Sequence, residues 1–477
     1  MPELSPERQQ NFSKMRQTAR EIFISALNNA SIESAFARNL HCERRVLRIG
    51  HDLHHLDSYN RVFVVSIGKA AHTMAAALEA QVGSGCFQAG IVASSVEPQS
   101  QSQIRRFRYF HGGHPTPTAE SIQAADAILK SLTALDAASL VIFMLSGGGS
   151  SIVEKPIDAD ISLPDLIATY RALVHSGAPI AEINAIRKHL SAVKGGRLAQ
   201  AAYPAQQVSI LVSDVPDATP DALASGPTMP DSTSIQDCER IAAQYNLVDQ
   251  FPKSVADLFR QHALNQPALE ETPKSDDPAF IRARWWTVLS NQVAIDEAAA
   301  AATRAGFAVE VDNSCDDWPY DQAAAYLLKR LHELRSKVSR VCLISGGEVT
   351  VTVRNGGTGG RNQQFALACA EKIAGQNITV LSAGTDGIDG NSPAAGAVVD
   401  GSTVTRAESA CSTGPEGCPT ACPELAEGSL AFRDVGSIVE QALSTFNAYP
   451  LFEALGDAVV TGPTGNNLRD LRILLAY

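Results

Sequence analysis

Two glycine-rich loops, each directly after a hydrophobic stretch, carry the residue types best suited to chemistry. The first, Ser146-Gly147-Gly148-Gly149-Ser150-Ser151, follows residues 140–145, and the second, Ser345-Gly346-Gly347-Glu348, follows residues 341–344. Because glycine has no Cβ, phosphate or carboxylate oxygens can approach the backbone N–H groups of such loops closely. Two of these loops far apart in the sequence predict one anionic substrate bound from two sides.

Two basic residues stand where helices are predicted to begin. Lys69 follows the predicted strand Arg61–Ile67, and Arg361 follows a pair of glycines. The next residue, Asn362, is included among the candidate phosphate-binding residues. A helix N-terminus attracts anions, so Lys69 would add a full charge there, although a solvated surface lysine is an equally good interpretation. Arg361 is unfavourable at a helix start unless a bound phosphate offsets its charge, which favours a functional role.

Two aspartates follow predicted strands and are candidates for metal binding or proton transfer. Asp214 comes after residues 207–213, and Asp386 lies in Gly384-Thr385-Asp386-Gly387. Mg²⁺ on a nucleotide needs only one or two carboxylates besides phosphate oxygens, and ligands of α/β folds bind at strand ends. A structural Asx turn or a solvated turn is the alternative interpretation at each position.

A basic stretch between residues 187 and 197 offers further cations. It contains Arg187, Lys188, His189, Lys194 and Arg197, and a Gly-Gly pair interrupts it after Lys194. Such a run usually forms a solvated helix face. We nevertheless include Lys194 and Arg197 among the candidate phosphate-binding residues.

Composition excludes several classes of protein. The chain has 477 residues, a formal net charge of -12 and 9 cysteines. No long Lys/Arg run is present, so nucleic acid is not an expected partner. No apolar stretch has the length of a membrane span, and the first twenty residues do not resemble a secretory signal. An odd number of scattered cysteines predicts reduced thiols and a cytoplasmic protein.

Strand and helix signals alternate along the chain, which predicts two α/β domains. A polar, proline-bearing stretch at residues 270–278 suggests a boundary, so we expect domains at 1–280 and 281–477. The first should contain a parallel sheet. In the second, residues 348–353 are predicted to form a hairpin strand, which makes that sheet mixed. Residues 412–429 read as an inserted loop without chemistry, and Cys411, Cys418 and Cys422 lack a fourth zinc ligand.

Nine strings together resemble the class II glycerate kinases, whose C-terminal half is called the MOFRL domain. They run in order from about residue 61 to the C-terminus. The matching strings are SIGKAA, GGHPTPTAES, LSGGGSS, INAIRKHLSAVKGGRLA, VSDVPDATPDALASGPTMPD, SGGEVTVTV, GGRNQQFAL, SAGTDGIDG and TGPTGNNLRDL. The resemblance departs from the family pattern at Asp217-Ala218-Thr219, where Gly-Asp-Asp is usual, and at Asn466, where threonine is usual.

The resemblance implies transfer of the γ-phosphoryl group of ATP to the 2-hydroxyl of D-glycerate, with Mg²⁺. It implies a Rossmann-like N-terminal domain, a MOFRL domain and an active site in the cleft between them. Lys69 and Arg361 would stabilise the transferring group, Asp386 matches the catalytic aspartate candidate, and Asp214 would bind Mg²⁺ or accept a proton. Which aspartate has which role, 2- versus 3-phosphorylation and a homodimeric state stay open.

Two other functions remain as alternatives. Relatives of such sequences are often labelled hydroxypyruvate reductase, an NAD(P)H-dependent oxidoreductase. Against it, the dinucleotide pattern Gly-x-Gly-x-x-Gly fails in the first loop because Ile152 stands at the third glycine position. The other alternative is a non-catalytic sensor of sugar phosphates.

Overall fold

The computed structural model describes residues 5–97, 104–216, 218–263, 269–353, 356–412 and 437–477. These divide into two compact units. The central unit is Ile32–Ser290, and the terminal unit combines Met1–Ser31 with Asn291–Tyr477. The predicted insertion at 412–429 lies outside the described residues except for its first position, as do Asp217, Cys418 and Cys422.

The units differ from the predicted ranges 1–280 and 281–477 at both ends. Helix α1 (Pro6–Asn29) belongs to the terminal unit, because its buried residues Met15 and Phe23 share a hydrophobic core with Ile473. The strand predicted at residues 285–290 does not begin the second sheet. Residues 283–289 pair in parallel with residues 207–212 and so complete the first sheet.

A parallel sheet organises the central unit. The strands of this unit are β1 (Leu40–Glu43), β2 (Val46–Ile49), β3 (Asp52–His55), β4 (Arg61–Ile67), β5 (Ala89–Ser94), β6 (Phe107–His111), β7 (Ser139–Leu145), β8 (Gln206–Val212) and β9 (Ala283–Leu289). The strand order of the parallel sheet is β6-β5-β4-β7-β8-β9, and every neighbouring pair is parallel. A separate antiparallel sheet has the order β1-β2-β3.

Helices cover the faces of this sheet and build a second core beside it. The sheet core includes Val65, Phe143 and Ile128. The helices are α2 (Ile32–Asn39), α3 (Ala71–Val82), α4 (Ala119–Leu132), α5 (Gly149–Ile152), α6 (Leu163–His175), α7 (Ile180–His189), α8 (Arg197–Ala202), α9 (Ile235–Gln244) and α10 (Lys253–Ala263). Helices α6, α7, α9 and α10 contribute to the second core.

The strand order of the parallel sheet creates a switch point between β4 and β7. The chain moves from β4 towards β6 on one side and from β7 towards β9 on the other. Ile67 and Leu145 are directly paired, so the loops that follow them start side by side. In open α/β sheets of this Rossmann-like order, ligands bind outside the carboxyl ends of the strands at the switch point.

The terminal unit has a mixed sheet between two helix layers. The strands are β10 (Ala308–Val311), β11 (Val341–Gly347), β12 (Ile378–Gly384), β13 (Gly396–Asp400), β14 (Ala458–Val459) and β15 (Asp470–Ala476). Their order is β10-β11-β15-β12-β13-β14, and β15 lies antiparallel between β11 and β12. The helices are α11 (Asn291–Arg304), α12 (Tyr320–Arg335), α13 (Arg361–Lys372), α14 (Thr403–Ser412), α15 (Ile438–Ser444) and α16 (Ala448–Leu455).

The sequence correctly predicts a mixed sheet, but it does not predict which strands run antiparallel. The predicted hairpin strand at residues 348–353 is wrong: only Thr350 makes an isolated bridge, to Pro319. The antiparallel neighbours are instead β13 and β15, which follow much later in the chain. No helix of the described residues combines the length and apolarity that a bilayer crossing requires.

Candidate active site

The loop after β7 presents unpaired backbone donors at the switch point. Within the described ranges, the N–H groups of Gly147 and Gly148 donate to no acceptor. Gly148 has φ +82°, a left-handed conformation that favours glycine. A Cβ added at Gly147 would lie 2.0 Å from Oδ2 of Asp214, so the loop also depends on glycine for close approach.

Lys69 lies directly beside this loop. Its backbone N–H donates to the carbonyl of Gly147 at 2.9 Å. Its Cγ is 3.1 Å from the position that a Cβ of Gly148 would take. The side chain is exposed, and among the residues described its ammonium forms no ion pair. The structure thus places an unpaired cation next to unpaired amides, an arrangement suited to an anion.

Asp214 and a strained turn complete this edge of the sheet. Asp214 follows β8 and is half-buried against Gly147. Ser150 Oγ lies 2.7 Å from Ser225 Oγ. Ala224 and Ser225 have φ values of +51° and +59°, which cost free energy in residues other than glycine. Such strain concentrates at functional sites.

His114 lies at the same place and was not singled out by sequence reasoning. Its Cδ2 and Nε2 are 3.0 and 3.4 Å from the position that a Cβ of Gly148 would take. Although the residue is exposed, partial desolvation lowers the pKa of His114, and the charge of Lys69 lowers it further. Both effects favour the neutral imidazole. The only sequence signal was its membership in the string GGHPTPTAES.

Lys194 and Arg197 are buried and therefore not accessible to a substrate. Lys194 is 1% exposed, pairs with Glu154 and lies 3.3 Å from the hydroxyl of Tyr170. Burial lowers the pKa of its ammonium. Arg197 donates to the carbonyl of Glu270 at 3.0 Å and is also buried. Both cations are used inside the unit, so we omit them from the site.

The rest of the basic stretch is not a solvated face either. Lys188 is 4% exposed and bridges Asp221 and Asp231 at 2.9 and 3.1 Å. His189 is buried and hydrogen-bonded to the carbonyl of Ala185. The alternative interpretation as a solvated face therefore does not hold for Lys188 and Lys194, because carboxylates of residues 154–231 pair with both cations. Lys188 also fixes the segment that carries Ser225.

In the terminal unit, Arg361 begins α13 between two carboxylates. Its Nε and Nη2 donate to Asp470 at 2.6 and 3.0 Å, and Nη2 lies 2.7 Å from Glu348. Burial lowers the pKa of Arg361, but these carboxylates outweigh burial and leave its pKa above the ordinary value. The sequence predicted that a phosphate offsets the cation at this helix start. In the structure, carboxylates already do so.

Arg361 and Asp386 share a cavity of about 710 Å³ in this unit, lined also by Gln364 and Asp389. Oδ1 of Asp386 is 3.1 Å, and Oδ1 of Asp470 is 3.5 Å, from the position that a Cβ of Gly384 would take. The two predicted catalytic residues of this unit are therefore brought to one polar opening.

Asp389 has a structural task in the same cavity. Its two carboxylate oxygens accept the backbone N–H groups of Asn362 and Gln363 at 3.0 and 2.9 Å. Burial raises the pKa of Asp389 to about 7. Because it binds the first turn of α13, Asp389 positions Arg361.

The glycines after Ile344 differ from those after Leu145. The N–H groups of Gly346 and Gly347 donate to Asn313 and Asn291 at 2.8 and 2.9 Å. Their carbonyls both accept from Arg472 at 2.9 Å. Asn362 is buried and accepts from the hydroxyl of Ser382 at 2.6 Å. We therefore leave three predicted binding residues, Gly346, Gly347 and Asn362, out of the candidate site.

The predicted metal ligands remain a prediction. In the part of the chain that the structure describes, no group of three or more His, Cys, Asp or Glu side chains could hold a metal ion. Asp214 and Asp386 belong to different units. Each could supply the single carboxylate that a nucleotide-bound Mg²⁺ requires.

Comparisons with known proteins identify the family of this chain. A family model described as a domain of unknown function, DUF4147, matches residues 18–260, and the MOFRL family model matches residues 341–416. The chain is 33% identical to D-glycerate 2-kinase of Thermotoga maritima over 87% of its length and 90% of that protein. It is also 33% identical to an Agrobacterium vitis protein whose provisional name is hydroxypyruvate reductase, over 96% and 94%.

A solved structure agrees with these sequence relatives. The crystal structure of glycerate kinase from Thermotoga maritima superposes with a TM-score of 0.78 and 30% identity, covering 98% of this chain and 100% of that chain. The predicted fold class, with one parallel and one mixed sheet, is confirmed. The chain belongs to the class II glycerate kinase family, in which a DUF4147 domain precedes a MOFRL domain.

Proposed function

We propose that this protein is a glycerate 2-kinase, which transfers the γ-phosphoryl group of MgATP to the 2-hydroxyl of D-glycerate. The observation that carries the proposal is that the ammonium of Lys69 and the adjacent amides of Gly147 and Gly148 have no partner among the residues that the structure describes. Phosphoryl transfer depends mainly on positioning and on stabilising charge on the transferring oxygens. The D-glycerate 2-kinase among its relatives supports this choice of substrate.

The reaction balances without a covalent enzyme intermediate. A bond forms between the 2-oxygen of glycerate and the γ-phosphorus, the bond from that phosphorus to the β,γ-bridging oxygen breaks, and ADP leaves. The hydroxyl proton passes to a carboxylate or to solvent. In this proposal Lys69 and the loop amides bind anionic oxygens, and Asp214 or Asp386 holds the metal of MgATP or accepts the proton.

Arg361 is the second cation of the proposal. Its guanidinium is about one-third exposed, so donors remain at the cavity although Asp470 and Glu348 occupy others. An arginine already held by two carboxylates is well oriented but less positive towards a phosphoryl group. That Lys69 and Arg361 act on the same phosphoryl group, in a cleft between the domains, stays a prediction.

The reductase alternative is less well supported. In a Rossmann-like sheet, the turn after the first strand carries the glycines that bind a dinucleotide pyrophosphate. Here that turn is Gly68-Lys69-Ala70-Ala71, which lacks the second and third glycines. A lysine at this position suits a nucleoside triphosphate better than the close backbone approach of a dinucleotide.

Phosphorus NMR of the reaction product tests the proposal. Purified protein with D-glycerate and MgATP should form 2-phosphoglycerate and ADP in equal amounts, and formation of 3-phosphoglycerate would correct the position. No phosphorylated product from folded protein, together with NADH oxidation by hydroxypyruvate, would replace the kinase with the reductase. Binding of D-glycerate without either reaction would favour a sensor.

A further inference from the structure

We propose that His114 binds a hydroxyl group of the hydroxy acid substrate, beside the donors that hold anionic oxygens. The inference rests on the proposed function, because its ligand is the acceptor substrate of that reaction. It assigns His114 to substrate binding and makes no claim that it moves the proton.

The position of His114 supports this assignment. It follows β6 and reaches the glycine loop after β7, with its ring within 3.4 Å of the space that a Gly148 side chain would fill. The ring is exposed, and no residue described in the structure forms a hydrogen bond with either ring nitrogen. A ligand on the loop could therefore reach both an unpaired imidazole and the ammonium of Lys69.

The hydrogen-bonding properties of these groups indicate which part of the substrate each one binds. Lys69 and the amides of Gly147 and Gly148 can only donate hydrogen bonds, which suits carboxylate and phosphate oxygens. A neutral imidazole has one donor and one acceptor nitrogen. Ionised phosphate and carboxylate have no hydrogen for the acceptor, whereas a hydroxyl group can both donate and accept. The donor nitrogen of His114 could bind any of these oxygens, but only the alcohol part of the substrate can also donate to its acceptor nitrogen.

Steady-state kinetics of His114→Phe and His114→Gln test the inference. Phenylalanine keeps the ring shape without polar atoms, whereas glutamine keeps a donor and an acceptor. We expect His114→Phe to raise the KM for D-glycerate about fivefold, the effect of one hydrogen bond, with the KM for MgATP unchanged. His114→Gln should restore much of the affinity. His111→Phe is the matched control, since its ring is exposed and lies 3.3 Å from Glu97.

A second readout separates the hydroxyl from the carboxylate. Propionate has the carboxylate of the substrate but no hydroxyl group, so its inhibition constant should be the same for wild type and His114→Phe. An unchanged KM for D-glycerate, equal weakening of propionate, or a rise in the KM for MgATP alone would overturn the inference. If His114→Phe lowers the Tm, His114→Ala replaces it. Wild-type turnover tests the proposed function, and only the difference between variants tests this inference.

Discussion

The two glycine loops look alike in the sequence but differ in how their polar groups are used. After β7, Gly147 and Gly148 present N–H groups without acceptors among the described residues, and Lys69 stands beside them without a carboxylate. At the end of β11, both N–H groups and both carbonyls of Gly346 and Gly347 are bonded to side chains of the same unit. A strand that ends in glycines therefore does not by itself make an anion site. The surrounding side chains determine whether the polar groups of the loop remain available for an anion.

The largest expected effect is on catalysis at the first loop. Lys69→Ala should lower kcat/KM for phosphoryl transfer by about 10²–10³-fold, or roughly 3–4 kcal/mol, because a donor to the transferring group is lost. Its Tm should not change, since Lys69 is exposed and its ammonium forms no ion pair within the described part of the chain. Lys155→Ala is the control, because the half-buried Lys155 pairs with Asp126. Near-normal turnover by Lys69→Ala would remove Lys69 from the mechanism.

A substitution at the second loop should instead change the stability of the protein. Arg472 is 0% exposed and donates to the carbonyls of both Gly346 and Gly347. Arg472→Met should lower the free energy of unfolding by about 3 kcal/mol, because it leaves buried acceptors unpaired. Urea denaturation would measure this loss. An unfolding midpoint equal to that of the wild type would show that the loop does not depend on Arg472.

Matched glycine substitutions sharpen the contrast. Gly148 and Gly347 have nearly the same left-handed φ, +82° and +84°. An alanine Cβ at position 347 would meet Asp316 Oδ1 at 2.7 Å, whereas at position 148 it would meet His114 and Lys69 at 3.0–3.1 Å. Both should lose about 1–2 kcal/mol of stability from backbone strain. Only Gly148→Ala should also lower kcat/KM, and an equal loss of activity in both variants would contradict the comparison.

Local hydrophobic pattern predicted most of what surrounds the first loop. Strands β4 and β7 are continuous buried runs, and their predicted bounds agree with the structure to within one residue. Strand β15 was missed because the buried Arg472 interrupts its hydrophobic run. The segment 348–353 has the short alternating pattern of a strand, but no neighbouring strand pairs with it.

Contacts between distant residues could not be predicted. The sequence favours exposed cations at Lys194 and Lys188, because their partners Glu154 and Asp231 lie about forty residues away in the sequence. Helix α1 was assigned to the first domain because its partner α11 follows more than 260 residues later. The residues at the first loop were predicted from strand ends alone, whereas His114 needed the structure, since only the fold brings the end of β6 to Gly148.

A double-mutant cycle tests most directly whether the two cations serve one reaction. Lys69→Ala, Arg361→Lys and the double variant should be compared in kcat/KM, and lysine at position 361 keeps a charge opposite Asp470. If both cations stabilise the same transferring phosphoryl group, the effects should be non-additive, with a coupling of about 1 kcal/mol or more. Strictly additive effects, with coupling indistinguishable from zero, would contradict the account.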